Sequence, residues 1–173
     1  ACVVALSDVS GGIYCESGLD ADAVSAFLEE GHLLKDYQAE GVSHISNTEL
    51  LTCDCDVLVP AALENQINAE VAEQLRCRYI VEGANGPTTV EADAILEQRG
   101  ITLIPDIFAN SGGVIVSYFE WVQNIQELTW ERSQVNEMLE KLMTASFGEL
   151  LEERKKTACS YRMAAYIVAL RRL

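Results

Sequence analysis

Four short apolar runs rich in Val, Ile and Leu, at residues 3–6, 57–59, 79–81 and 101–104, recur along the chain with amphipathic stretches between them. Strands covered on both faces lose the in-out alternation of antiparallel sheets, so this rhythm predicts a parallel sheet with crossover helices and an α/β fold. With 173 residues, 49% of them apolar, the chain holds enough material for one compact unit with a sizeable core.

Capping chemistry places the helix starts. Ser46 with Glu49, and Thr88 with Glu91 just after Pro87, fit the pattern in which a hydroxyl and a carboxylate satisfy free amides of a first turn, and Asn68 is a third cap. Gly100 is expected to close a helix over residues 91–99 in a left-handed conformation. From Gly113 the pattern predicts nearly unbroken helix with Val135, Leu139, Leu142 and Met143 on one stripe, and a further helix over 161–170 after a break near Thr157. No internal repeat or Pro/Gly/Ser-rich linker separates this helical end, so it is expected to pack back against the sheet.

A formal charge of −15 argues against a nucleic-acid surface. The basic positions Arg154, Lys155, Lys156, Arg162, Arg171 and Arg172 read instead as a solvated helix face. Six cysteines form no Cys-x-x-Cys pair and the two histidines lie apart from most of them, which argues against zinc and for free thiols in a reducing compartment. No apolar run reaches the roughly twenty residues of a membrane span, and the start of the chain lacks the layout of a signal peptide. The expected setting is the cytoplasm or an organelle matrix. Because the chain opens without Met, directly in apolar sequence, it reads like the middle of a protein.

Ligands of open parallel sheets bind beyond the C-terminal ends of the strands, so the residues after each apolar run are the candidates. They are residues 7–12, 60–65, 82–87 and 105–113, in which small side chains recur with Asn. Small residues let a flat ligand approach the backbone, and Asn offers donors and an acceptor to hydroxyl and carboxamide groups, which suits a dinucleotide. Asp8 could accept from a ribose 2′-hydroxyl and would repel a 2′-phosphate, favouring NAD over NADP. Plainer readings stand beside these. Asp8 with Ser10, Gly11 and Gly12 also fits a simple turn, Asn85 and Asn110 fit turn formers, Ser117 fits a hydroxyl bonded to its own helix, and Met138 and Met143 fit a core. Nowhere does Gly-x-Gly-x-x-Gly occur, so no pyrophosphate cradle is legible.

Three blocks resemble the C-terminal half of glutamate dehydrogenases, within the wider family acting on Glu, Leu, Phe or Val: residues 59–65 (VPAALEN), 82–89 (EGANGPTT) and 110–121 (NSGGVIVSYFEW). Their order and spacing match, with Ser111 and Ile115 standing where Ala and Thr are frequent. The resemblance implies an incomplete Rossmann-type parallel sheet, its first strand and helix missing, with a C-terminal helical segment. Residues 1–112 would be a partial dinucleotide-binding domain, and 113–173 would be helices that pack back on it and reach toward a substrate domain. It implies that Asp8 faces the adenosine ribose, that Ala61 and Ala62 line the cofactor cleft, and that Asn85 and Asn110 bond the nicotinamide ribose and carboxamide. Val114 and Ser117 would reach the substrate, the Ser117 hydroxyl contacting the far carboxylate of glutamate.

The implied reaction is NAD- or NADP-dependent oxidative deamination of L-glutamate to 2-oxoglutarate and ammonia, in a homohexamer. No catalytic group and no metal ligand is expected within this chain, because the family's catalytic lysines, proton-relay Asp and glycine-rich turn would precede Ala1. Alone, the chain is expected to be inactive and to present an exposed strand edge. An inert nucleotide-binding or regulatory remnant, or a dehydrogenase for another amino acid, are the alternative functions.

Overall fold

In the computed structural model, which describes residues 1–173, three of the four apolar runs build one parallel sheet. Strands β4 (Val57–Leu58), β5 (Tyr79–Val81) and β6 (Thr102–Ile104) lie side by side in that order, with Leu58 opposite Ile80 and Ile80 opposite Leu103. Helices α3 (Ala69–Gln74) and α4 (Val90–Gln98) make the crossovers. Leu58, Ile80 and Leu103 join Ile67, Val71, Leu75 and Leu96 in the largest buried cluster. Each such buried aliphatic side chain contributes about 1.5–3 kcal/mol by leaving water. The opposite face is not covered as the apolar runs suggested, for Val57 and Val59 are 50% and 56% exposed.

The first run behaves differently. Strand β1 (Ala5–Asp8) belongs to a separate antiparallel sheet with β2 (Gly11–Tyr14) and β3 (Ser43–Ile45), in the order β1-β2-β3. The expectation that it runs parallel beside the other three fails because the chain reverses at once through Val9 and Ser10, pairing Asp8 with Gly11. Gly12 permits the close pairing that follows, since a Cβ there would sit 3.1 Å from the carbonyl and side chain of Ile45. This sheet has its own core of Ile13, Val24, Leu34 and Tyr37, to which helix α1 (Ala21–Glu29) contributes Val24. β1 and β4 are therefore edge strands of two separate sheets.

The caps hold in two places and shift in one. Ser46 and Glu49 form the reciprocal capping box at the start of α2 (Asn47–Leu51), which sends Leu51 into the main core. Asn68 accepts from Val71 N at 3.0 Å. The third cap is Thr89 instead of Thr88, and Thr88 Oγ1 is buried without a partner. Gly100 is left-handed with φ 72°, as its position after α4 required.

Past β6 come α5 (Asp106–Ala109), α6 (Ser111–Gln126), α7 (Arg132–Thr157) and α8 (Tyr161–Arg171). The helical stretch is broken once more than expected, at left-handed Glu127. Gln123 fixes that break: its Oε1 accepts from Trp130 N at 2.6 Å, while the Trp130 ring meets Phe119 edge-on at 5.9 Å. After Ala158, also left-handed, α8 turns back so that Ala164 and Ala165 bury against Leu150. α8 lies against α5 and β6, which returns the helical end to the parallel sheet.

Candidate functional site at the tips of the parallel strands

Backbone hydrogen bonds lace the C-terminal ends of β4, β5 and β6 into one row. Pro60 O accepts from Gly83 N at 3.0 Å and from Ala84 N at 2.9 Å, and Ile104 O accepts from Glu82 N at 3.1 Å. Ala61 lies so close to Gly83 that a Cβ on the glycine would stand 3.1 Å from its methyl group. Only small side chains fit that approach, and Ala61 and Ala62 are both exposed beside it.

Farther along the row, Asn110 Nδ2 donates to Asn85 Oδ1 at 2.7 Å, joining the tips of β5 and β6. Parallel register places these tips side by side, and left-handed Gly86 turns the β5 loop, its N–H donating to Asp106 Oδ2 at 2.8 Å. Asn85 Nδ2 and Asn110 Oδ1 take no partner within the chain, so the pair keeps one donor group and one acceptor free for a ligand. Asn110 is also the N-cap residue of α6. Val114 and Ser117 follow it at helical spacing on one exposed face, with Ser117 about 10 Å farther along the axis.

Asp8 is not in this row. It ends β1 of the other sheet, where its Oδ1 accepts from Ser10 N at 2.7 Å and Ser10 Oγ at 2.5 Å, and its Oδ2 accepts from Leu34 N at 3.0 Å. Burial works to raise the Asp8 pKa, but the hydrogen bonds from Ser10, Leu34 and Gly11 outweigh it and hold the carboxyl below its ordinary value. The simple-turn reading of Asp8 is thus satisfied in full, with its carboxylate charged at neutral pH.

One group beside the row was not anticipated. Glu82, wholly buried, meets Arg162 of α8 at 2.8 Å. The same guanidinium reaches Asp93 of α4 at 2.8 Å and Asp106 at 3.3 Å. Reading Arg162 as part of a solvated basic face is therefore incorrect: its side chain is 20% exposed and sits among three carboxylates. Burial alone would lower its pKa, and the hydrogen bonds to Glu82 and Asp93 more than offset this, holding the guanidinium above its ordinary value. Acids at two neighbouring strand tips, Glu82 and Asp106, were a legible signal. Their partner, 80 residues beyond Glu82, was not.

The model of the family described as Glutamate/Leucine/Phenylalanine/Valine dehydrogenase matches residues 1–173. Among curated relatives, the NAD-specific glutamate dehydrogenase A of Halobacterium salinarum is 49% identical over 173 residues, spanning 100% of this chain and 39% of that protein. The NADP-specific glutamate dehydrogenase A1 of the same organism is 46% identical over 172 residues, spanning 99% of this chain and 41% of that protein. Among solved structures, the hetero-hexameric glutamate dehydrogenase from Thermus thermophilus in its Leu-bound form superposes with a TM-score of 0.88 at 30% identity, over 99% of this chain and 40% of that one. The chain thus spans about two fifths of the length of these relatives.

Proposed function

The chain belongs to the Glutamate/Leucine/Phenylalanine/Valine dehydrogenase family, and on that premise we propose that it is the C-terminal, nucleotide-binding part of a glutamate dehydrogenase converting L-glutamate to 2-oxoglutarate and ammonia. In this reading β1 and β4 flank one further parallel strand contributed by the rest of the protein, so that the two sheets are parts of one Rossmann-type sheet. Residues 1–112 serve the dinucleotide and residues 113–173 link it to the substrate domain. The observation that carries the proposal is the Asn85–Asn110 pair at 2.7 Å on adjacent strand tips.

The donor set fits a nicotinamide dinucleotide. Asn85 and Asn110 present the donor and acceptor that a ribose hydroxyl and a carboxamide need, and Ala61 and Ala62 leave room for a flat ring to approach. Asp8, charged at the end of β1, suits a ribose 2′-hydroxyl and favours NAD, with NADP as the other candidate. When bound, the nicotinamide ring supplies hydride acceptance. The chain's own part is to orient and to exclude water. Ser117 offers its hydroxyl to the far carboxylate of glutamate and Val114 shapes the adjoining wall. The family resemblance implies that the basic groups that would activate water and hold the substrate lie outside residues 1–173. The exposed stripe of Val114, Tyr118, Trp121 and Ile125 on α6 suits burial against that part.

Asn85→Ala and Asn110→Ala in the full-length enzyme should each raise KM for the dinucleotide about tenfold, the worth of one or two hydrogen bonds to a partly enclosed ligand. A dinucleotide KM equal to wild type in both variants refutes the assignment. Turnover of glutamate against leucine distinguishes the proposed substrate from its family alternatives.

A further inference from the structure

The proposed ligands Asn85 and Asn110 sit on two loops, and a single side chain from a third element holds both loops. We infer that Arg162 is a positioning residue for nicotinamide recognition: by gripping Glu82 and Asp106 together, it fixes the separation of the β5 and β6 tips and hence the Asn85–Asn110 pair. The inference rests on the proposed role of the two asparagines.

Every link is a direct polar contact. Arg162 Nη2 meets Glu82 Oε1 at 2.8 Å, and Glu82 Oε2 accepts from Asp106 N at 2.8 Å. Arg162 Nη1 meets Asp106 Oδ1 at 3.3 Å, while Asp106 Oδ2 accepts from the N–H of Gly86, next to Asn85, at 2.8 Å. One helical turn away, Asn110 N donates to Asp106 O at 3.1 Å. Nε of the guanidinium is held by Asp93 at 2.8 Å, which fixes the plane of the fork, and the buried Ala164 and Ala165 fix the backbone that carries it. Three carboxylates around one arginine are a poor way to add stability, since apolar side chains of similar size would serve as well or better. What the arrangement does supply is a rigid planar fork that sets where three elements stand, which a lysine ammonium cannot reproduce.

The test uses the full-length enzyme and two probes: NADH, followed by the fluorescence of its nicotinamide, and AMP, which carries only the adenosine side. Arg162→Lys keeps the charge, and Asp106→Ala removes one arm while leaving the Glu82–Arg162 pair. Both should weaken NADH roughly tenfold and leave AMP within about twofold, because a displaced loop costs contacts only where it touches the ligand. Combining Arg162→Lys with Asn85→Ala should weaken NADH no further than the worse single variant. Wild-type NADH affinity in Arg162→Lys or Asp106→Ala, with Asn85→Ala impaired, overturns the positioning role and spares the asparagine reading. Unchanged NADH affinity in Asn85→Ala removes that reading and the inference with it. Equal weakening of AMP and NADH, or additive losses in the double variant, marks a general defect and also overturns the inference.

Discussion

At the scale of single residues, Asp8 holds a turn, and coenzyme choice is its proposed second task. Its folded pKa lies below the ordinary 3.8, so its contribution to stability is fully present above that value and is lost as pH falls through the folded pKa. Asp8→Ala frees the amides of Ser10 and Leu34 to solvent and should cost on the order of 1 kcal/mol, read as a lower midpoint in urea. Asp8→Ser should ease NADP use in the full-length enzyme, because the charge that repels a 2′-phosphate is gone. An unaltered NAD to NADP preference would confine Asp8 to its turn. Cys55 makes a second case. Burial first, then the neighbouring Cys53 and Cys77, push its thiol up to about 12. Cys55 therefore stays a thiol at pH 8 and should resist iodoacetamide until the chain is unfolded. Rapid alkylation of Cys55 in the native state, located by peptide mass, would contradict this.

Among the elements, those specified by local chemistry were legible. The parallel strands β4, β5 and β6 announce themselves as compact β-branched runs, and α2 begins where Ser46 and Glu49 said it would. Ser46 N and Oγ donate to Glu49 and hold its carboxyl below the ordinary 4.5, so this cap is at full strength above that pH and weakens as pH falls through the lowered value. Ser46→Ala should therefore lower the melting temperature at pH 7, and by a smaller amount once acid has protonated Glu49, the remainder being the Glu49 N–H to Ser46 Oγ bond, which does not titrate; a penalty that grows as pH falls would show that the carboxylate is not part of the cap. Elements fixed by distant partners were not legible. The turn at Asp8 and Ser10 was legible as a turn, but the pairing of β2 with β3 some thirty residues on was not, nor was the break at Glu127, where Trp130 meets Phe119 and Gln123. The candidate site divides in the same way. Asn85 and Asn110 follow from where strands end, whereas Arg162 reaches Glu82 only because α8 folds back. Along α6 the helical period carries Asn110 to Val114 and Ser117. On the proposed role of Ser117, Ser117→Leu should cut kcat/KM for glutamate by about 10- to 100-fold while leaving NADH affinity unchanged, since the polar contact proposed for it lies two turns from the asparagine pair.

For the molecule as a whole, surface area is the telling quantity. A compact protein of 19.0 kDa exposes about 8,400 Å² by the usual scaling of surface with mass. This chain exposes 11190 Å², roughly 2,800 Å² more, and its apolar core is split among three separate clusters, the smaller two of four and three residues. Part of the exposed surface is apolar: Val57 and Val59 on the open face of the parallel sheet, and the stripe of Val114, Tyr118, Trp121 and Ile125 on α6. Two features make this surface adhesive. The edges of β1 and β4 carry unpaired backbone groups that can recruit a strand from another molecule, and the apolar stripe offers a contiguous surface for association. The 173-residue chain prepared alone should therefore associate as its concentration rises, bind a hydrophobic dye, and unfold in a broad transition, since its small clusters lack a common core to couple them. Sedimentation and calorimetry decide the matter. A concentration-independent monomer mass with one sharp, calorimetrically two-state transition would mean that the two sheets support each other without a strand between them, and the reading of the chain as parts of one larger sheet would lose its physical basis.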